Sequence, residues 1–359
     1  MSASFEIRSA SGAYTARIGA GSLEEVVQHG GDVIILCDAW FADRFEGRGL
    51  PVVSLPALES SKSLDEIPGI IMALREAGAS RRTRLIAAGG GIIQDVAGFV
   101  ASVYMRGLKW DYAPTTLLAM VDSCIGGKSS INVGPYKNLV GTFHPPQTIF
   151  IDPALCGTLS QDQRVAGLCE AAKICFARSP EAFAAYLAME PGVAAGPDVL
   201  SEVIGLSLAS KKWFLEIDEF DQAERLLLNY GHTFGHAIES ASDFAISHGI
   251  AVGLGMMAAG AMSRSLGRLE AGEGPTAEFE SHIDSLLRGT PDLGPHVAGL
   301  SPDRLIKAFR GDKKHTADTF AVVLPLAAGG VERIELGRSP ETEALIQTAF
   351  AQMKARYAA

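Results

Sequence analysis

Between Lys211 and His248 the chain sets Arg225, Asn229, His232 and His236 at i, i+4, i+7 and i+11, which on one continuous helix over 222–243 is a single stripe. Their neighbours Leu226, Leu227, Leu228, Tyr230, Phe234 and Ile238 are apolar, so the stripe must face a site inside a mostly buried helix. A solvated polar face would carry Glu and Lys pairs. This one carries a cation, an amide and two imidazoles, a donor set for an anion and a metal. His232 and His236 have HxxxH spacing, but Thr233 stands where HExxH needs glutamate, which argues against a metalloprotease. His248, opening the next helical segment, is a competing ligand or a helix-capping histidine. Glu170 and Lys173, at i, i+3 in a small and apolar stretch, form either a buried ion pair or a metal ligand beside a substrate-binding cation. The other histidines (His29, His144, His282, His296, His315) lack such company and read as surface or structural.

Two further clusters lie upstream. Asp122-Ser-Cys-Ile-Gly126-Gly127-Lys128, with Lys137-Asn138, sets two lysines, an amide and a Gly-Gly turn between apolar runs, an oxyanion cradle. It is no P-loop, because GxxxxGK[ST] would need glycine at Ser123. The run Gly89-Gly90-Gly91 up to Asp95 passes from strand to helix, where backbone N–H groups can approach a phosphate and the helix dipole favours it. A plain tight turn reads the same way, and GxGxxG is absent. Asp38, at a strand end, could accept from ribose hydroxyls or cap the next turn.

The elements that must position these groups fall into two sets. Short β-rich runs at 32–37, 52–55, 85–88, 110–113 and 148–151 alternate with helical stretches at 63–77 and 92–104, which reads as an α/β domain with a parallel sheet and flanking helices. From Ser160 onward, 3.6-period segments at 160–177, 198–216, 222–243, 248–267 and 273–289 predict a mostly α-helical second domain, with a small hairpin at 319–324 and 331–336. The division expected is 1–157 and 158–359. The 359 residues carry 31 basic and 41 acidic side chains, a net charge of −10, which argues against a nucleic-acid partner. The alternating polar and apolar N-terminal residues predict no secretory signal, and the longest apolar stretch, Gly249 to Met262, holds four glycines and is too short to span a bilayer. Five cysteines without a CxxC pair read as reduced core thiols. A soluble cytoplasmic protein with no membrane partner is expected.

The blocks Gly89-Gly-Gly-x-x-x-Asp95, Tyr104-Met-Arg106-Gly107, Pro114-Thr-Thr-Leu-Leu-Ala119, Asp122-Ser-x-x-Gly-Gly-Lys128, Lys137-Asn138, Glu170-x-x-Lys173, Asn229-x-Gly-His232-Thr-x-Gly-His236-Ala and His248-Gly-x-Ala-Val252 occur together in this order. In that combination the chain resembles the 3-dehydroquinate synthases and their relatives, the sugar phosphate cyclases, from about residue 12 to Lys314. The resemblance implies an NAD-binding α/β domain, a helical C-terminal domain and one site in the cleft between them. It implies that Glu170, His232 and His248 hold a divalent metal, zinc or alternatively cobalt, and that His236 touches substrate or supports a ligand, which revises the HxxxH reading. It places Asp38, Glu59, Lys62, Gly90, Gly91, Asp95, Thr115, Thr116, Thr158 and Leu159, with Asp122, Lys128 and Lys137, along NAD. It gives the phosphate, hydroxyls and carboxylate of a sugar phosphate to Asp122, Lys128, Lys137, Asn138, Lys173, Lys211, Arg225, Asn229 and a lysine of Lys313-Lys314. Arg106 would reach the site of a partner subunit in a homodimer.

The implied activity is carbocycle formation from 3-deoxy-arabino-heptulosonate 7-phosphate. A hydride passes to NAD, phosphate is eliminated, the hydride returns, and the opened ring closes by an aldol step. Lys211, Arg225 and Asn229 keep the spacing that suits a carboxylate-bearing substrate, whereas inosose-forming relatives have glutamate at the asparagine position. Other positions depart from that pattern. Ile250 replaces the glutamate of the usual His-Gly-Glu-Ala-Val, which removes an acid near the metal, and 168–175 looks partly like the inosose-forming branch. Lys128-Ser-Ser-Ile-Asn132 and Gly141-Thr-Phe-His-Pro-Pro146 are also atypical. The alternative is therefore an inosose- or valiolone-type cyclase of a specialised or cell-surface pathway. A metal-dependent polyol dehydrogenase shares the two-domain plan but lacks the cationic pocket, and its carboxylate ligand is normally Asp. A non-catalytic paralogue is disfavoured because every implied ligand position holds a competent residue.

Overall fold

A computed structural model describes residues 3–28, 31–45, 47–134, 136–270, 272 and 274–358. The chain divides into two compact units, Met1–Leu159 and Ser160–Ala359.

The first unit is built on a seven-stranded sheet of order β1-β2-β9-β6-β5-β3-β4. Its strands are β1 (Ala3–Ile7), β2 (Tyr14–Ile18), β3 (Val33–Asp38), β4 (Val52–Leu55), β5 (Arg84–Gly89), β6 (Lys109–Pro114) and β9 (Thr148–Ile151). The pairs from β2 to β4 across this order are parallel, and only the edge hairpin β1–β2 is antiparallel. The central strands are continuous apolar runs because helices cover the sheet: α1 (Ser22–Gln28), α2 (Ile67–Glu76) and α3 (Gly91–Val103). Asp111, fully buried on β6, is the exception. It pairs with Arg84 of the neighbouring strand and accepts from the Thr148 amide at 3.0 Å. A separate antiparallel hairpin, β7 (Lys128–Val133) and β8 (Tyr136–Phe143), is joined to the 62–64 segment through Asn132, whose amide donates to Lys62 O (2.9 Å) and whose carbonyl accepts from Leu64 (2.8 Å).

The second unit opens at a capping box. Ser160 Oγ accepts from the Gln163 amide and Gln163 Oε1 accepts from the Ser160 amide. Its helices are α4 (Gln161–Arg178), α5 (Pro180–Leu187), α6 (Pro197–Ile217), α7 (His232–Ala241), α8 (His248–Ser265), α9 (Pro275–Arg288), α10 (Leu293–Ala298), α11 (Pro302–Arg310) and α12 (Pro340–Tyr357), with the hairpin β10 (Thr319–Pro325) and β11 (Val331–Gly337). Residues 165–177 of α4 and 249–263 of α8 are buried on every side, so these two helices form the centre of the unit. The rings of Phe176, Phe183, Tyr186, Tyr230 and Phe279 pack beside α4, the closest pair being Phe176 and Phe279 at 4.2 Å. No helix among the described residues is long and apolar enough to cross a membrane.

The α/β first unit and the helical second unit stand as the sequence indicates, with the expected strands within about two residues; β1, β2, β7 and β8 were not among them. The continuous helix expected over 222–243 does not form. Glu224–Asn229 is a 3-10 turn, Gly231 takes φ 76°, and α7 starts afresh at His232. The break has a steric cause: a Cβ on Gly231 would lie 2.5 Å from Met256 Cγ and 2.7 Å from the Val252 carbonyl, so α8 passes directly over this residue. The helix expected over 63–77 is also shorter, starting at Ile67, because 62–64 are held by the β7–β8 hairpin.

Candidate functional site

In the first unit the glycine run lies at the carboxyl end of β5, where open α/β sheets bind ligands. Gly90 caps α3, Gly91 opens it, and a Cβ on Gly90 would come to 3.0 Å from Thr116 Cγ2. Thr115 donates its amide to Gly89 O at 3.0 Å, so the glycine turn and Thr115-Thr116 are adjacent. One residue turn further along α3, Asp95 is held from two sides: Lys62 Nζ stands 2.6 Å from Oδ2, and the Ser130 amide donates to Oδ1 at 2.9 Å. Burial raises the Asp95 carboxyl and the Lys62 charge and hydrogen bonds pull it back, with the net shift upward. Glu59 accepts from Asn132 Nδ2 at 2.8 Å and lies 3.6 Å from Lys137 Nζ, while the Asn138 amide donates to Asn132 Oδ1 at 2.9 Å. Glu59, Lys62, Asp95, Asn132, Lys137 and Asn138 thus form one polar network around the base of the hairpin.

Asp122 sits in a π-helical turn, Ala119–Ser123, and Lys128 begins β7 with its ammonium 5.8 Å from the centre of the Phe143 ring. Asp38 accepts from the Trp40 amide at 3.1 Å, so the capping reading of that carboxylate is realised by one oxygen. Thr158 and Leu159 close the unit, Thr158 Oγ1 donating to Leu155 O at 2.8 Å. Arg106 is exposed at φ 73°, next to Met105 at φ 47°.

In the second unit, α4, α7 and α8 bring together the strongest constellation. The rings of His232, His236 and His248 form a triangle with centroids 5.6, 5.3 and 5.9 Å apart. Each Nδ1 has its own acceptor: Tyr230 O at 3.2 Å for His232, Asp312 Oδ2 at 3.0 Å for His236, and Glu239 Oε2 at 2.9 Å for His248. A carbonyl and two carboxylates can only accept, so all three Nδ1 atoms donate and the Nε2 lone pairs are left for another partner. Burial and then the Lys173 charge hold His232 well below the usual imidazole range, which keeps its lone pair available. Burial also lowers His236, partly offset by the hydrogen bond that it donates to Asp312. For His248 burial acts downward, but the Glu239 hydrogen bond and the charges of Glu239 and Glu170 outweigh it, and the net shift is upward.

Glu170 and Lys173 are both almost wholly buried on α4 and pair through Oε1 and Nζ. Glu170 Oε2 is buried with no hydrogen-bond partner. An orphaned carboxylate oxygen and imidazole lone pairs are donors that a borderline divalent cation such as zinc or cobalt would satisfy, so the donor types fit the metal that the resemblance implies. Among the described residues, His236, Glu239 and His248 are the group whose ligand atoms all lie within 4.8 Å of one another; of the three ligands that the resemblance implies, only His248 is in it.

The cations sort by position. Lys314 Nζ lies 3.2 Å from Asp312 Oδ2 and 3.5 Å from His236 Nδ1, whereas Lys313 is exposed. Lys211 on α6 and Arg225 are each 5% exposed. Arg225 Nε pairs with Asp221 at 3.1 Å and its Nη1 donates to Glu219 O. Asn229 donates Nδ2 to Leu226 O at 3.0 Å. Because the helix breaks at Gly231, Arg225 and Asn229 are not in one helical stripe with His232 and His236, as the spacing had suggested; the two pairs come from separate segments. The site also includes residues the sequence reading left aside, Glu239 and the Asp312 carboxylate. Glu239 is three residues past His236 on the same face of α7, a spacing that could have flagged it. Of the remaining histidines, His282 Nε2 meets the Tyr186 hydroxyl at 3.0 Å and His144 Nε2 lies 2.9 Å from Leu108 O, both structural; His29 lies outside the described residues.

A family model described as 3-dehydroquinate synthase N-terminal matches residues 52–166, and one described as 3-dehydroquinate synthase C-terminal matches residues 167–315. A 3-dehydroquinate synthase of Xylella fastidiosa (strain 9a5c) is 36% identical over 345 residues, 89% of this chain and 86% of that protein. A 2-deoxy-scyllo-inosose synthase of Streptoalloteichus tenebrarius is 37% identical over 276 residues, 72% of this chain and 71% of that protein. Among solved structures, a 2-deoxy-scyllo-inosose synthase complexed with carbaglucose-6-phosphate, NAD+ and Co2+ matches with a TM-score of 0.81 at 24% identity, covering 98% of this chain and 99% of that one.

Proposed function

The chain belongs to the 3-dehydroquinate synthase family, and on that premise we propose that it is a phosphate-eliminating cyclase that turns 3-deoxy-arabino-heptulosonate 7-phosphate into 3-dehydroquinate. The observation that carries this reading is the triangle of three imidazoles, each with Nδ1 committed to an acceptor, together with the buried, orphaned oxygen of Glu170, whose charge acts on His248.

Glu170, His232 and His248 would hold the divalent metal, and residues 158–359 supply most of the substrate contacts. NAD lies along Asp38, Glu59, Lys62, Gly90, Gly91, Asp95, Thr115, Thr116, Asp122, Lys128, Lys137, Thr158 and Leu159 within residues 1–157 and at its edge. Bound there, a divalent metal would supply acidification of a substrate alcohol, and NAD would supply reversible hydride transfer. The rest falls to this chain's own side chains. Lys173 and Lys211, both buried, fix anionic oxygens of the substrate without the cost of reorganising water. Lys314, steadied by Asp312, offers a third cation next to His236. His236 holds or passes a proton at Nε2, its Nδ1–H anchored on Asp312. Lys128, Lys137 and Asn138 complete the phosphate contacts, and Arg225 with Asn229 receives the carboxylate. Exposed Arg106 reaches the site of a second subunit, so the working form is a homodimer, and its place of action is the cytoplasm.

The identity to an inosose synthase, together with Ile250 in place of the family's glutamate, supports one second reading: a cyclase acting on a sugar phosphate that has no carboxylate. One assay separates the two. The zinc-loaded protein is offered the seven-carbon keto-acid phosphate, a heptulose phosphate and a hexose phosphate, while phosphate release, product mass and NADH are followed. Phosphate released from the keto acid without NADH accumulation supports the main reading, provided that His232→Ala and Lys173→Ala abolish it. Turnover of hexose or heptulose phosphate alone establishes the second. Net NADH formation would mean a dehydrogenase and refute both.

A further inference from the structure

We propose that Glu239 is the positioning residue for His248: from α7 its carboxylate grips Nδ1 of the imidazole on α8 and turns Nε2 toward the metal. This inference rests on the assignment of His248 as a metal ligand. Glu239 is seven residues past His232 and three past His236, so α7 presents two imidazoles and one carboxylate on one face. The carboxylate is largely buried, with 14% of the side chain exposed, and its Oε2 lies 2.9 Å from His248 Nδ1.

Among the described residues, nothing nearer in sequence supplies that support. His248 is the first residue of α8, and the preceding Ser247 makes no side-chain cap hydrogen bond. Two residues on, Ile250 is apolar and buried. The imidazole at the start of the helix is therefore held from the neighbouring helix. An acceptor-only group on Nδ1 fixes the tautomer, and its charge raises the basicity of Nε2, the two effects by which a carboxylate behind a ligating histidine strengthens metal binding. The same 4.8 Å grouping of His236, Glu239 and His248 admits a rival role, with Glu239 itself a ligand.

The test measures zinc affinity by chelator competition, and the visible d–d spectrum of the cobalt form, on the full chain carrying Glu239→Gln or His248→Ala. Glu239→Gln is expected to weaken zinc binding about 10- to 100-fold while the cobalt bands keep their positions and intensities, since the ligand set is unchanged. Glu239→Asp, with the charge withdrawn by one methylene, is the second variant should the first fail to fold, and it too is expected to bind zinc more weakly. Zinc affinity within twofold of the parent in either folded variant overturns the proposal. Cobalt bands in Glu239→Gln as altered as those of His248→Ala overturn it in favour of Glu239 as a ligand. If His248→Ala leaves zinc affinity unchanged, the metal assignment itself falls, and the positioning role with it.

Discussion

A Cβ placed on Gly255 would fall 2.1 Å from the carbonyl oxygen of Gly231, so α8 and the start of α7 meet backbone to backbone. That approach is what lets His232 and His236 on one helix reach His248 on the other. Gly231→Ala must adopt φ 76° with a side chain and also push Met256 aside. The expected cost is about 2–5 kcal/mol of unfolding free energy, from left-handed strain and overpacking together. Urea unfolding measures it, and zinc content after purification should fall in parallel.

Glu170 and Lys173 are a buried pair, so removing either one alone leaves an uncompensated charge. Lys173→Met is expected to destabilise the metal-free protein by about 3–5 kcal/mol. The double variant Glu170→Gln with Lys173→Met should recover most of that loss, although neither variant turns over substrate. A double-mutant cycle by urea unfolding in chelator checks this; simple additivity would show that the two groups do not compensate each other.

His282 gives the protein an acid-sensitive element away from the metal. Burial lowers its imidazole from 6.5 to about 4, and the Tyr186 hydroxyl stands 3.0 Å from Nε2. Above pH 6.5 the folded and unfolded chains both carry it neutral, and its contribution is fully present. As pH falls from 6.5 toward 4 the unfolded chain takes up a proton that the folded one refuses, so stability is lost over that window, by at most about 3 kcal/mol. His282→Phe is expected to flatten the slope of unfolding free energy between pH 6.5 and 4. An unchanged slope would assign the acid sensitivity elsewhere, with buried His232 the next group to test.

The two adjacent lysines after α11 should separate cleanly. Lys314→Ala removes a cation that contacts Asp312 and lies beside His236, and a loss of about 10²-fold or more in kcat/KM is expected. Lys313→Ala removes an exposed charge and should leave kcat/KM within a few fold, which steady-state kinetics with the phosphorylated keto acid would decide.

The chemistry was legible where it is written locally. The glycine run into α3, the Glu170–Lys173 spacing and the three histidines are patterns of neighbouring residues, and the buried strands β3, β5 and β6 show as short β-branched or apolar runs between turn residues. What the sequence by itself determined is therefore which chemically capable side chains are grouped and which segments favour strand or helix, because propensity and periodicity act within about a dozen residues. The helix break at Gly231 escaped it. The apolar period runs straight through that residue, and the force that bends the chain comes from Met256 and Val252, over twenty residues later. The choice of Lys314 over Lys313, and the pairing of Glu239 with His248, escaped it for the same reason: each depends on which face two separately encoded elements turn to each other. Only tertiary packing settles that, since burial of apolar surface fixes how α7 lies on α8, and the hydrogen bonds of the imidazoles follow from where that packing leaves them.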